Sequence, residues 1–213
     1  NTKALIMVHF FGQTQDISRF QEFCQQNRLI LIENNAHGHS GELDGNLLGT
    51  FGEIGISSPR KHLNTICGGI LFCNRKINLN IMELSPYPVS NQLMLKQKLF
   101  NLDPNLKARL KKIIKRRPRY EDLRAFQEPI IDDYLMDAHS LYILQNVDWK
   151  EIRNGRQKVY HIWESYLKKR GLKPVFEALH PGANPWCFPA YVENKNEAIK
   201  WFKWGYKNYY DVF

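Results

Sequence analysis

The feature that most constrains this chain is the order of apolar segments in its first 35 residues. Ala4 to Phe11 is a continuous apolar run, far too short to cross a membrane and of the right length for a strand buried on both faces. Gly12 interrupts it. Asp16 then stands where a helix N-cap belongs, ahead of Ile17, Phe20 and Phe23, which helical spacing places on one inner face. Leu29 to Ile32 is a second apolar run. Strand, helix, strand at this spacing predicts a βαβ unit and a parallel sheet with a right-handed crossover. Ligands of such sheets bind beyond the carboxyl ends of the strands. That directs attention to the polar residues after Ile32: Glu33, Asn34, Asn35, Ala36 and His37.

Further strands are expected at Glu53 to Ser57 and Gly69 to Cys73, on either side of Ser57-Ser58-Pro59-Arg60-Lys61. Beyond Ser85 the character turns helical. Asp103 and Pro104 can start a helix bearing Leu106, Leu110, Ile113 and Ile114 that ends at Pro118. Asp148 and Glu151 can cap another bearing Ile152, Val159, Trp163, Tyr166 and Leu167 and stopping before Gly171. The proline-rich passage from Pro181 to Pro189 leads to a short strand ending near Val192, and a last helix runs from about Glu197. The class is therefore α/β, with a mainly parallel sheet. Residues 1–118 form a large-domain portion, and 119–213 a helical connection with part of a smaller C-terminal domain.

Composition excludes several classes. With 43% apolar and 13% aromatic residues the chain is not disordered, and no apolar run reaches the roughly 18–20 residues of a membrane span. A net charge of +9 invites a nucleic-acid reading, but eight of the 30 lysines and arginines lie between Lys107 and Arg119 with no acid among them. Without that segment the chain is close to balance, so nucleic acid is not the expected partner. The segment alone leaves a basic phosphate- or RNA-binding module as one alternative. The four cysteines form no C-x-x-C pair, which suits free thiols in a reducing, cytoplasmic compartment. His37 and His39 have no acid or thiol at matching spacing, so no metal site is expected. The glycines at 49, 52 and 55 make neither a dinucleotide fingerprint nor a P-loop. Gly38-His39-Ser40-Gly41 falls one residue short of a nucleophile elbow.

Lys61 is the residue with chemical promise. A lysine tucked into a sheet crevice loses solvation, and its free amine becomes a nucleophile toward carbonyls. Hydroxyls at Ser57 and Ser58 can hold a phosphate. Together these suit a Schiff base to pyridoxal phosphate. Most lysines after a proline-containing turn are ordinary solvated residues, and the local residues taken alone favour that reading.

A wider pattern decides between them. In order along the chain come Val8-His9-Phe10-Phe11-Gly12, Glu33-Asn34-Asn35-Ala36-His37, Leu48-Gly49-Thr50-Phe51-Gly52-Glu53-Ile54-Gly55, Ser58-Pro59-Arg60-Lys61 and Gly68-Gly69. This series resembles the DegT/DnrJ/EryC1/StrS family of pyridoxal-phosphate-dependent sugar aminotransferases, strongly over residues 4–73 and weakly from about 120 onward. The resemblance implies an incomplete type I (aspartate aminotransferase-like) fold and a homodimer with shared sites. It implies pyridoxal phosphate as cofactor, glutamate as amino donor and a nucleotide-linked keto sugar as acceptor. Lys61 would carry the Schiff base, Ser58 would contact the cofactor phosphate with Ser57 beside it, and His37 would lie against the cofactor.

Asn34 falls where the family has an aspartate that pairs with the pyridine nitrogen. A neutral amide cannot stabilise a positive charge there. Glu33 and Asn35, as its neighbours in a strand, point to the opposite face and are not substitutes. The family's N-terminal portion, which completes phosphate binding and supplies a residue stacking on the ring, has no counterpart in these residues. The alternative expectation is thus a truncated or catalytically degenerate relative that binds cofactor or a partner only.

Overall fold

In the computed structural model, residues 2–76, 84–91, 94–95 and 134–208 are described. The basic segment from Lys107 to Arg119, the helix expected there and the boundary at 118 lie outside the described residues. The chain divides into two compact units, Asn1–Pro88 with Asp133–Ala190, and Val89–Asp132 with Tyr191–Phe213.

The first unit is built on strands β1 (Ala4–Val8) and β2 (Ile30–Asn35), joined through helix α1 (Ile17–Asn27). β1 and β2 pair in parallel with Ile6 opposite Ile32 and Val8 opposite Asn34. A small antiparallel pair follows, β3 (Glu42–Leu43) with β4 (Asn46–Leu47). β5 (Ile54–Ser57) then adds to β2 in parallel, with Asn34 opposite Ile56 and Asn35 opposite Ser57. β6 (Ile70–Cys73) closes the four-stranded sheet in the order β1-β2-β5-β6 and runs antiparallel to β5. β7 (Ser85–Pro86) and β8 (Tyr134–Leu135) make a separate short parallel pair. Helices α2 (Ala138–Asn146) and α3 (Trp149–Lys168) and the short strand β9 (Lys173–Pro174) complete the unit.

The N-caps act as the sequence implies. The Asp16 carboxylate accepts from the Arg19 N–H, and that of Asp148 from those of Lys150 and Glu151. Each satisfies amides that the first helical turn leaves without a partner. Three expectations need correction. β2 extends through Asn35, so Glu33, Asn34 and Asn35 belong to the strand rather than following it. Residues of low strand propensity are held there because the register with β1 and β5 uses their backbone. On α1 Ile17 is buried and Phe20 packs on the core as expected, but Cys24, 3% exposed, takes the inward place given to Phe23, which is 50% exposed. On α3 the buried ring is Tyr160, 3% exposed, and Val159 is 53% exposed, because the inner face also carries Arg153 and Arg156.

The core clusters Met7, Ile17, Cys24, Leu31 and Leu48, so α1 covers the sheet face that carries Met7 and Leu31. The opposite face is largely bare, with Ile6 at 58%, Ile56 at 39% and Leu71 at 48% exposure. In the second unit, helix α4 (Lys195–Asn208) is capped by the Asn194 side-chain oxygen, which accepts from the N–H groups of Asn196 and Glu197. Trp201 and Trp204 pack edge to face on it with centroids 5.7 Å apart.

Candidate active site

Several of the motifs meet at one carboxylate. Glu33 is fully buried and accepts from the Gly49 N–H at 2.6 Å and from those of Phe51 and Gly52 at 2.7 and 3.1 Å. It also accepts from His9 Nε2 at 2.8 Å, a direction settled by the Gln15 N–H, which donates to His9 Nδ1 at 3.1 Å. Burial alone would raise the Glu33 carboxyl; hydrogen bonds from His9, Gly49 and Phe51 outweigh it and hold the group below its ordinary value. Gly49, with φ +104, leaves no room for a side chain, since a Cβ there would lie 2.8 Å from the Phe72 ring. The His9, Glu33 and glycine motifs therefore lock strand ends together on the covered face. They are scaffold.

Asn34 lies on the other face, opposite Val8 and Ile56. The alternation read from sequence holds, with Glu33 and Asn35 buried away from it. Its Oδ1 accepts from the Ala36 N–H at 3.0 Å. The amide's remaining group is NH2, which only donates. His37 follows just past the strand end. Its Nδ1 accepts from the Phe11 N–H at 3.2 Å, leaving the ring proton on Nε2. Burial, and after it the charge of Lys61, push its pKa down, so it is a neutral donor near pH 7.

Lys61 ends a single 3-10 turn, Pro59–Lys61, that starts directly beyond β5. The two serines before it divide in role. Ser57 is 4% exposed on the covered face; its hydroxyl donates to the Asn35 carbonyl at 3.2 Å and receives His39 Nδ1 at 2.8 Å. Ser58 is half-buried at the cap of the turn, and its side chain makes no capping hydrogen bond. His39 and His62 are kept neutral by burial, with pKa values pushed down to about 4 and about 3.

Two residues that sequence reasoning missed complete the lysine's surroundings. Arg156, on α3, donates through Nη2 to the Lys61 carbonyl at 3.0 Å and through Nη1 to those of Pro185 and Trp186, both at 3.3 Å. It thereby ties the lysine turn to segment 183–186. Asn184 adds to the tie, donating to the His39 carbonyl at 2.6 Å and accepting from His62 Nε2 at 3.1 Å. Trp186 donates its N–H to the Phe11 carbonyl at 3.0 Å. Its indole faces the Lys61 ammonium at 4.6 Å from the ring centroid and packs on His37 with centroids 4.6 Å apart. Lys61 and His37 are thus brought together. Ser58 is close in sequence, Asn34 shares the strand ends, and Ser57 is turned away.

A mostly parallel sheet with a lysine turn beyond the carboxyl end of one of its parallel strands defines the class first. The fold is that of type I pyridoxal-phosphate aminotransferases, as in Helicobacter pylori PseC, an aminotransferase involved in the biosynthesis of pseudoaminic acid, with a TM-score of 0.60 at 16% identity over 97% of this chain and 50% of that one. Residues 1–110 match the DegT/DnrJ/EryC1/StrS aminotransferase family, and the chain belongs to it. The family is pyridoxal-phosphate-dependent. Among curated relatives, the L-glutamine:2-deoxy-scyllo-inosose aminotransferase of Streptomyces kanamyceticus is 37% identical over 60 residues, 28% of this chain and 14% of that protein. The GDP-perosamine synthase of Vibrio cholerae is 33% identical over 78 residues, 36% and 21% of the two chains. The chain spans about half the length of the solved structures it matches.

Proposed function

We propose that this chain is part of a sugar aminotransferase in which Lys61 is the cofactor-bound amine, glutamate is the amino donor and a nucleotide-linked keto sugar is the acceptor. The observation that carries the reading is the half-buried Lys61 amine held beside neutral His37 at the end of β5. The donor set fits a phosphorylated pyridine aldehyde: an amine, an uncommitted hydroxyl on Ser58, a ring donor at His37 and an amide at Asn34. When bound, pyridoxal phosphate supplies an aldehyde for amines and a conjugated ring that draws electron density from the carbon being deprotonated.

The chain's residues divide the work. Lys61 would supply the free amine for the aldehyde and, when not bonded to it, a group that carries protons at Nζ. Ser58 would offer its hydroxyl to the phosphate, while the Ser57 hydroxyl is committed to Asn35 and His39. His37 would offer its Nε2 proton. Asn34 would offer an NH2 to the ring nitrogen, a neutral donor that does not favour protonation there.

A second reading, a relative that binds but turns over slowly, is favoured by that same amide, since Asn34 Oδ1 is already occupied by Ala36. A homodimer is expected from the resemblance, and sedimentation tests it. No described helix is long and apolar enough to cross a membrane.

Borohydride treatment of the protein mixed with pyridoxal phosphate should attach the pyridoxyl group to Lys61, as read by peptide mass spectrometry. Lys61→Ala should abolish the label. A folded protein that takes no label at Lys61 would sink the reading. Adding glutamate, then glutamine, to the loaded protein separates turnover from binding and identifies the donor.

A further inference from the structure

Trp186 touches both side chains that the proposed site depends on. Its indole presents a face to the Lys61 ammonium at 4.6 Å, and the same ring lies 4.6 Å from the His37 ring at an interplanar angle of 34°. A planar ligand joined to Lys61 and resting on His37 has to make those two contacts. We infer that Trp186 is the positioning residue of Lys61: its indole holds the amine against His37 and swings aside when a planar ligand engages both.

The backbone around it explains why the side chain, rather than the segment, is what moves. The Trp186 N–H is held by the Phe11 carbonyl, and its carbonyl by Arg156. Phe11 is itself in the left-handed region, at φ 58, with its N–H on His37 and its carbonyl on Trp186. Next to it, Gly12 at φ +84 lies so close to the segment that an added Cβ would meet the Asn184 carbonyl and stand 3.0 Å from Pro185 Cα. With the main chain seated this tightly, rotation about the Trp186 side-chain bonds is the motion left open. Among the contacts it gives up are a cation–π contact and a tilted ring pair, each individually weak and together enough to bias where the amine sits.

The inference rests on the cofactor reading only for what displaces the ring, so its test begins without cofactor. Reductive methylation with formaldehyde and cyanoborohydride reports how freely the Lys61 amine meets a small carbonyl, with exposed Lys158 as internal reference. Trp186→Leu should raise the Lys61 rate relative to Lys158 about tenfold, and Trp186→Phe should restore most of the wild-type value. Pyridoxal phosphate should then bind the leucine variant about tenfold more tightly than wild type. Should Trp186→Leu not fold, Trp186→Met takes its place, with the Lys61 rate again expected above that of wild type. Equal Lys61 rates in wild type and the variants would overturn the inference, even where borohydride labelling upholds the cofactor. Faster methylation in a protein that never takes up pyridoxal phosphate would support Trp186 as the cover of Lys61 and overturn the cofactor reading instead.

Discussion

Replacing Asn34 with aspartate changes one heavy atom and the charge at the position that the resemblance sets against a pyridine-pairing aspartate. The structure says the change is tolerated locally, because a carboxylate oxygen can accept the Ala36 N–H as Asn34 Oδ1 does at 3.0 Å. The second oxygen then offers an anionic acceptor to a protonated ring nitrogen. A buried ion pair deprived of one partner loses about 3–5 kcal/mol. Asn34 is only half-buried, so the relevant comparison is between hydrogen bonds with and without charge. Those are worth about 1.5–3 and about 0.5–1.5 kcal/mol, a difference of about 1–2 kcal/mol. If it is realised where the substrate carbon is deprotonated, Asn34→Asp accelerates that step about 5- to 30-fold. The assay is the absorbance change of cofactor-loaded protein mixed with glutamate, at equal loading confirmed by borohydride labelling of Lys61. An unchanged or slower rate at equal loading would refute the placement of Asn34 at the ring nitrogen.

Other expectations follow from the same contacts. Glu33→Gln sets an amide NH2 against the N–H groups that now converge on a carboxylate and should destabilise the unit by about 3 kcal/mol in urea unfolding. Because the folded pKa of Glu33 is lowered, its contribution is complete above 4.5 and lost as pH falls below it; acid unfolding of the variant should lack that component. His39 and His62 are depressed from 6.5 to about 4 and about 3, so the unfolded chain binds more protons below 6.5. Stability should therefore fall as pH drops from 6.5 toward 4, by up to about 1.4 kcal/mol per unit for each histidine, and His39→Asn should remove one share of that slope. Arg156→Met leaves the carbonyls of Lys61, Pro185 and Trp186 without their donor, with an expected loss of about 2–3 kcal/mol and weaker borohydride labelling of Lys61. Arg156→Lys should recover only part, since one ammonium lacks the guanidinium's fork.

Much of the first unit was legible because local signals agreed with tertiary demands. The apolar runs that open β1 and β2 and the Asp16 and Asp148 caps mean the same thing in isolation as in the fold, although the run read to Phe11 leaves the strand after Val8 for a 3-10 turn. The alternation that separates Asn34 from Glu33 was legible as well. Extending it to β5 would have turned Ser57 away, since Ser57 pairs with Asn35 rather than Asn34. Other features were hidden by polarity. Strand β2 continues through three polar residues because a buried carboxylate is served by backbone amides 16 to 19 positions away. On the inner face of α3 Leu167 was legible, but Val159 was read in place of Tyr160 because arginines share that face. Arg156 and Trp186 reach Lys61 across 95 and 125 positions, and no spacing rule connects residues that far apart.

The bare sheet face bears on all of this in one more way. Ile6 and Ile56 stand exposed on the side that carries Asn34, so water reaches the neighbourhood of the amide. In water, the distinction between a neutral and a charged partner at position 34 is muted by screening. Anything that settles on those isoleucines would dry the surroundings of the amide and amplify the distinction. The contrast between asparagine and aspartate is therefore a quantity set by wetting, and the apolar side chains around position 34 hold the dial.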